Sequence, residues 1–235
     1  MSILGAVIVP HPPLIVSTVG CGREREVQAT INAYRTAAKQ AAAWKPEVLI
    51  ITSPHQIMYA DYFHISPGQG AFGDMSAFGA AQTRLSAEYD TLLREEVIRR
   101  AGSADLRAGM LGERDPALDH GTFLPLYFLR EAGVDCPILR AGLSGFSPLD
   151  HYRLGQCIAQ AVEALGRRAV FIASGDLSHK LKDDGPYGFA PEGPEFDRQI
   201  TEAMAAGDFL QFLTIDSGLC DRAAECGLRS FQIMA

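Results

Sequence analysis

Cysteine is scarce in this chain and has no pattern. Cys21, Cys136, Cys157, Cys220 and Cys226 include no Cys-x-x-Cys pair. That excludes zinc-ribbon and thioredoxin-type motifs, and an odd, scattered set does not describe a disulfide framework. The reading is reduced thiols in a cytoplasmic protein. No apolar run approaches the roughly 20 residues of a membrane-spanning helix. The N-terminal apolar segment lacks the basic flank and small-residue cleavage site of a secretory signal. Positive charge is thin as well: 21 Lys and Arg stand against 28 Asp and Glu, a formal charge of −7. Arg23-Glu24-Arg25 and Arg99-Arg100 are too short and mixed to form a nucleic-acid surface. Neither an HExxH hydrolase motif, an internal repeat nor a low-complexity stretch is present.

Hydrophobic residues, by contrast, make up 47% of 235 positions, enough for a sizeable core. The chain is organised around its beginning. An apolar run, Ile3 to Val9, stops at Pro10-His11-Pro12-Pro13. The run suits a buried strand. The prolines cannot extend a ladder, so they force a stiff loop that holds His11 at the strand's C-terminal end. Val48-Leu49-Ile50-Ile51-Thr52-Ser53-Pro54-His55 repeats the construction. Ala169-Val170-Phe171-Ile172-Ala173-Ser174 followed by Gly175-Asp176-Leu177-Ser178-His179 varies it with a glycine turn. Ligands bind at the C-terminal edge of open α/β sheets, so three histidines placed this way read as one site.

The remaining segments alternate in type. Helical spacing covers 25–43, 86–101 (with Ser86 as N-cap), 122–132, 148–165 (opening Ser147-Pro148), 194–206, 207–214 and 217–226. Short strands are expected within 58–66, at 105–111 and at 137–143. Residues 67–81, rich in Gly, Ala and Phe, read as a mobile loop over the pocket, and 183–194 as a polar loop. The class is therefore α/β: three layers, α/β/α, around a central, mostly parallel (mixed) sheet. Residues 1–235 read as a single catalytic domain. Phe231-Gln232-Ile233-Met234-Ala235 should be entering a further strand, so the domain is expected to lack its C-terminal end.

Four of six histidines sit in Pro- or Gly-marked loops beside apolar runs: His11, His55, His120 and His179. His151 reads as surface, and His64 as an exposed or pairing strand position. Several histidines with few cysteines at one sheet edge suit a divalent metal; two His and one carboxylate form the facial triad of non-haem Fe(II) oxygenases. The carboxylate candidate is Glu225, an isolated acid in Ala223-Ala224-Glu225-Cys226-Gly227. A buried carboxylate needs a partner; salt-bridging or helix capping is the competing reading. Cys226 beside it would suit metal-thiol chemistry, although a buried Cys is usually inert. Asp119 is expected to cap the helix near Thr122, and Asp176 to orient its loop or a ligand histidine.

Pro10-His11-Pro12-Pro13, Ser53-Pro54-His55, Asp119-His120-Gly121, Gly175-Asp176-Leu177-Ser178-His179 and Glu225-Cys226-Gly227 occur in this order. Together they resemble the class III extradiol ring-cleavage dioxygenases, with the fold of the protocatechuate 4,5-dioxygenase catalytic subunit. Within that family the chain is most similar to the branch associated with Memo-like and radical-SAM proteins. The resemblance spans residues 3–231 and implies His11, His55 and Glu225 as iron ligands. It further implies His179 as active-site acid/base and His120 as a pocket histidine contacting substrate or oxygen. The cofactor would be Fe(II), with Zn or another divalent metal able to occupy a purified sample. The partners would be a catechol-like substrate, O2 and, by base rate, a second copy in a homodimer, with no nucleic acid and no membrane. Two alternatives stay open: a Memo-like metal-binding or redox module without ring cleavage, and a zinc hydrolase.

Overall fold

The computed structural model describes residues 2–112 and 117–235. In chain order the strands are β1 (Ile3–Val9), β2 (Val48–Ser53), β3 (Phe63–His64), β4 (Gly70–Met75), β5 (Ala80–Glu88), β6 (Ala108–Gly109), β7 (Ile138–Gly142) and β8 (Ala169–Ser174). The helices are α1 (Ser17–Gly20), α2 (Gln28–Ala43), α3 (Thr91–Ser103), α4 (His120–Glu131), α5 (Pro148–Ala164), α6 (Glu192–Ala206), α7 (Ser217–Ala223) and α8 (Leu228–Met234). The central sheet has the order β1-β8-β2-β7, and every pairing in it is parallel. All four C-terminal strand ends therefore open on one edge.

Successive side chains of a strand face opposite sides, and here both sides are apolar. Val48, Ile50, Ala169, Phe171, Leu139 and Ala141 join the core that includes side chains of α3, α5, α6 and α8. Leu49, Ile51, Val170, Ile172 and Ile138 join the core beneath α2 and α4. That explains the unbroken hydrophobic runs of β2 and β8 and makes the expected three layers. No described helix is long and apolar enough to cross a membrane.

Several expectations are corrected. Residues 67–81 are largely an antiparallel hairpin, β4 with β5, whose turn passes through Gly79 at φ 79°. Half its positions face solvent, so hydrophobic alternation is weak and the glycines mask the strand. Because β5 runs to Glu88, the next helix starts at Thr91 rather than 86. Its cap is Asp90, which accepts from Leu93 N at 3.0 Å, while Ser86 pairs with Phe72 in the hairpin. The apolar C-terminal residues form α8, packed on α5 and β8, rather than a strand. His64 takes the pairing position of the two expected for it, opposite Gly109 of β6, and is wholly buried rather than exposed, with Nδ1 3.2 Å from Leu111 O.

His151 is not at the surface: it is 0% exposed, inside the first turn of α5 with its ring edge-on to Phe63. Its Nδ1 donates to Ser147 O at 2.9 Å and its Nε2 accepts from Ser144 N at 3.4 Å. Both nitrogens are used by the neutral ring, and burial lowers its pKa to about 4. The linked stability is complete above the unfolded-state value near 6.5 and is lost as pH falls through about 4. The unfolded chain takes up the proton first, so acid favours unfolding. Over that window the expected contribution is ~3 kcal/mol. Denaturant titrations of wild type and His151→Asn between pH 7 and 4 should show a shallower pH slope in the variant; parallel slopes would remove His151 as the cause.

Candidate metal centre at the sheet edge

Strand ends deliver the histidines. His11 leaves β1 through Pro10, and its backbone N–H donates to Asp176 Oδ1 at 2.7 Å. Its Nδ1 lies 2.9 Å from Ser174 Oγ, at the end of neighbouring β8. With Nδ1–H given to that hydroxyl, the Nε2 lone pair faces the cleft. His55 leaves β2 through Pro54, and its N–H donates to Ser53 Oγ at 3.1 Å. Its Nε2 stands 2.9 Å from His11 Nε2. His120 arrives from a helix instead, as the first residue of α4. Its ring centroid lies 3.9 Å from that of His55 and 5.3 Å from that of His11.

Asp119 fixes the third of these positions. It caps α4 by accepting from Thr122 N at 3.0 Å, as expected, and also accepts from Ser53 Oγ, Thr122 Oγ1 and Arg140 Nη2 at 2.5, 2.8 and 2.9 Å. A Cβ on Gly121 would strike Ser53 Oγ, so glycine there lets α4 sit against β2.

The turn after β8 meets the segment before α8 through two glycines. A Cβ on Gly175 would fall on Gly227 Cα, so the backbones touch. This contact sets Cys226 Sγ 3.3 Å from Asp176 N, which donates to it, and 3.6 Å from His11 Nε2. His179 Nδ1 donates to Ala224 O at 2.5 Å, turning Nε2 toward Asp176 Oδ2 at 3.6 Å. Gly175→Ala should therefore cost ~1–3 kcal/mol by forcing the two segments apart, and should weaken metal retention as well. Thermal denaturation with and without added Fe(II) measures both. An unchanged metal-dependent shift in melting temperature would mean that the contact does not hold the site.

Glu225 makes the contact of the competing, capping reading. Its Oε2 accepts from Leu228 N at 2.7 Å, at the N-terminal end of α8, so its carboxylate serves as a cap. Among the described residues, donor atoms converge in two sets, His11–His55–Cys226 and Asp176–His179–Cys226. The structure thus brings His11, His55, His120 and His179 to one edge and adds Cys226 and Asp176 to them.

Electrostatics follow from burial. His11, 1% exposed, is held near pKa 4 by burial, so its 3.8 Å approach to Asp176 Oδ2 is not an ion pair at neutral pH. Partial burial also lowers His55 and His120. Neutral imidazoles are metal donors. His179 goes the other way, raised chiefly by its hydrogen bond to Asp176. Burial pushes Asp176 up, but its bonds from His179 and the His11 N–H outweigh this and leave it below the usual range. Burial raises Glu225 and pushes the Cys226 thiol up to about 12.

These residues fit a divalent metal. Bonds of about 2.0–2.1 Å meeting at a right angle place two imidazole nitrogens about 3 Å apart, which is the His11–His55 spacing. The Ser174 and Asp176 contacts orient His11 in the way ligand histidines are oriented. A bound cation also ionises a thiol that otherwise stays protonated. The roles of Ser174, Ser53 and Arg140 are not visible in sequence, where each is an ordinary strand residue.

Fold and site together define an α/β protein with a candidate metal centre at the C-terminal edge of a parallel sheet. The family described as "Catalytic LigB subunit of aromatic ring-opening dioxygenase" matches residues 5–235, and the chain belongs to it. Protein CA_C1420 of Clostridium acetobutylicum is 32% identical over all of this chain and 52% of its own length, so the chain spans about half of that relative. The 2-aminophenol 1,6-dioxygenase beta subunit of Pseudomonas sp. is 28% identical over 87% of this chain and 75% of its own. The 2,3-dihydroxyphenylpropionate/2,3-dihydroxicinnamic acid 1,2-dioxygenase of Escherichia coli strain 55989 is 26% identical over 66% and 51%. The crystal structure of uncharacterized protein JW3007 from Escherichia coli K12 has a TM-score of 0.56 at 15% identity, covering 86% of this chain and 80% of that one, a likeness of fold.

Proposed function

We propose that this chain is the catalytic unit of an Fe(II)-dependent extradiol dioxygenase that opens the ring of a catechol-like aromatic with O2. The observation that carries the reading is the His11–His55 pair, neutral and 2.9 Å apart, at the sheet edge of a member of this family. The names of the Pseudomonas and Escherichia coli relatives, both aromatic dioxygenases, support it. A cytoplasmic homodimer is the expected setting.

His11 and His55 would hold the metal, and the third donor would come from the Glu225-Cys226 step. The family resemblance favours Glu225. The convergence of Cys226 Sγ with both histidines favours the thiol. When bound, Fe(II) supplies a redox-active Lewis-acid centre with open positions for a diol and O2. The chain's part is positioning and proton transfer. His179 Nε2, beside ionised Asp176, can hold the proton of a substrate hydroxyl and return it to the product. His120, tilted against His55 and edge-on to Phe78 of the hairpin turn, would form the wall that faces substrate or oxygen.

Protein loaded anaerobically with Fe(II) and given a panel of catechols tests the reading. Metal-dependent O2 uptake with a yellow ring-opened product is expected. Tight metal binding without uptake would favour the Memo-like module, which the nearby thiol also suits. Co(II)-loaded variants separate the third donors. If sulfur binds, Cys226→Ser removes a near-ultraviolet charge-transfer band and Glu225→Gln leaves it. If carboxylate binds, no such band exists and Glu225→Gln lowers affinity by more than ~10-fold.

A further inference from the structure

We propose that the groove between α3 and α5 is a binding site for a small phosphate-bearing anion. The groove has a volume of about 260 Å³ and is lined by Arg99, Arg100, Arg153, Gln156, Cys157 and Gln160 among others. It shares no lining residue with the metal centre. Arg99-Arg100 alone is too short a run to follow a nucleic-acid strand, but the fold sets Arg153 of α5 beside it. No acidic side chain is among the lining residues, so in a chain of formal charge −7 the groove gathers three guanidiniums in one place.

Each guanidinium is anchored on one side and open on another. Glu96 accepts from Arg99 Nε and Nη2 at 2.8 and 2.7 Å and from Arg100 Nε at 2.6 Å. Asp150 Oδ1 accepts from Arg153 Nη1 at 3.1 Å. Three cations thus share two carboxylates, and ion pairing within the chain accounts for only part of what they offer. Among the described residues, Arg99 Nη1, Arg100 Nη2 and Arg153 Nε have no acceptor. Gln160 Oε1 accepts from Arg100 Nη1 at 3.2 Å, which leaves its amide N–H groups as donors. Arg153 Nη2 donates to Ala104 O at 2.5 Å, covering a carbonyl at the C-terminal end of α3 that would otherwise repel an anion. Guanidinium forks take carboxylate and phosphate alike. Three of them around one groove offer more than the two oxygens and single charge of a carboxylate can use. A phosphate group presents three oxygens and nearly two charges.

The test is calorimetric titration of the full chain with inorganic pyrophosphate and with citrate, two small polyanions that differ in the groups carrying their charge. The protein is dialysed free of metal, so that pyrophosphate cannot report on a bound cation. At low ionic strength pyrophosphate is expected to bind with a Kd below ~1 mM, and citrate about ten-fold more weakly. Arg99→Gln and Arg100→Gln should each weaken pyrophosphate by about ten-fold, the loss of one charge-assisted contact. Arg99 is 61% exposed, so that variant should fold as the wild type does and keeps the test open should Arg100→Gln not fold. Arg198→Gln removes an arginine paired with Glu195 and Glu202 on α6, outside the groove, and should leave the affinity unchanged. Absence of pyrophosphate binding to the wild type overturns the proposal. So does an affinity that survives in the folded groove variants, or one that falls equally in Arg198→Gln, since either would take the anion out of the groove. Citrate binding as tightly as pyrophosphate overturns the assignment to phosphate.

Discussion

Replacing His55 with alanine is expected to strip the metal and, with it, activity. The loss should exceed the ~10–100-fold typical of removing a group that merely orients a ligand, because a donor atom itself disappears. The structure gives a reason to expect nearly complete loss rather than partial compensation. His55 Nε2 is the partner of His11 Nε2, and the third converging donor is a thiol whose pKa burial raises to about 12. Without two neutral imidazoles to hold a cation, the hydrogen bond from Asp176 N–H does not offset the burial of that thiol. Metal content after dialysis and O2 uptake should fall together. His11→Ala should do the same and also destabilise the fold, since His11 is 1% exposed and tied to Ser174 and Asp176. Retention of one equivalent of iron in His55→Ala would move the site to the second set of converging donors, Asp176, His179 and Cys226.

His179→Ala is expected to behave in the opposite way, keeping metal while turnover falls by ~10²–10⁴, the usual contribution of a positioned acid/base. His179 is half-buried, donates through Nδ1 to Ala224 O, and presents Nε2 to Asp176. Its raised pKa means that it carries a proton over more of the neutral range than a free imidazole. Such a group can return a proton to product, and Asp176 keeps it oriented. Metal content and single-turnover rate should therefore separate in this variant. Parallel loss of both would make His179 a ligand.

Much of this site can be read in the chain because β1, β2 and β8 announce their ends. Pro10-His11, Pro54-His55 and the Gly175 turn are local signals, and parallel pairing puts them on one edge. The capping role of Asp119 is likewise legible, since a short acidic side chain before a helical run has few other uses. The hairpin over 70–88 was hidden because it buries too little to show alternation. His151 differs for a related reason: Asp150 and a helix start point to solvent, while the fold lays Phe63 and Ser144 against the ring.

Sequence by itself determined the layered parallel sheet, the edge at which its histidines gather and the family to which the chain belongs, because each depends on short-range patterns repeated along the chain. Only the tertiary structure decided which atoms meet. The contact of Gly175 with Gly227 turns Cys226 toward His11 and leaves Glu225 to cap α8, and β7 carries Arg140 to Asp119. The Arg140–Asp119 and Cys226–His11 contacts join positions 21 and 215 apart, and no local pattern encodes the direction a side chain takes once distant backbones have packed.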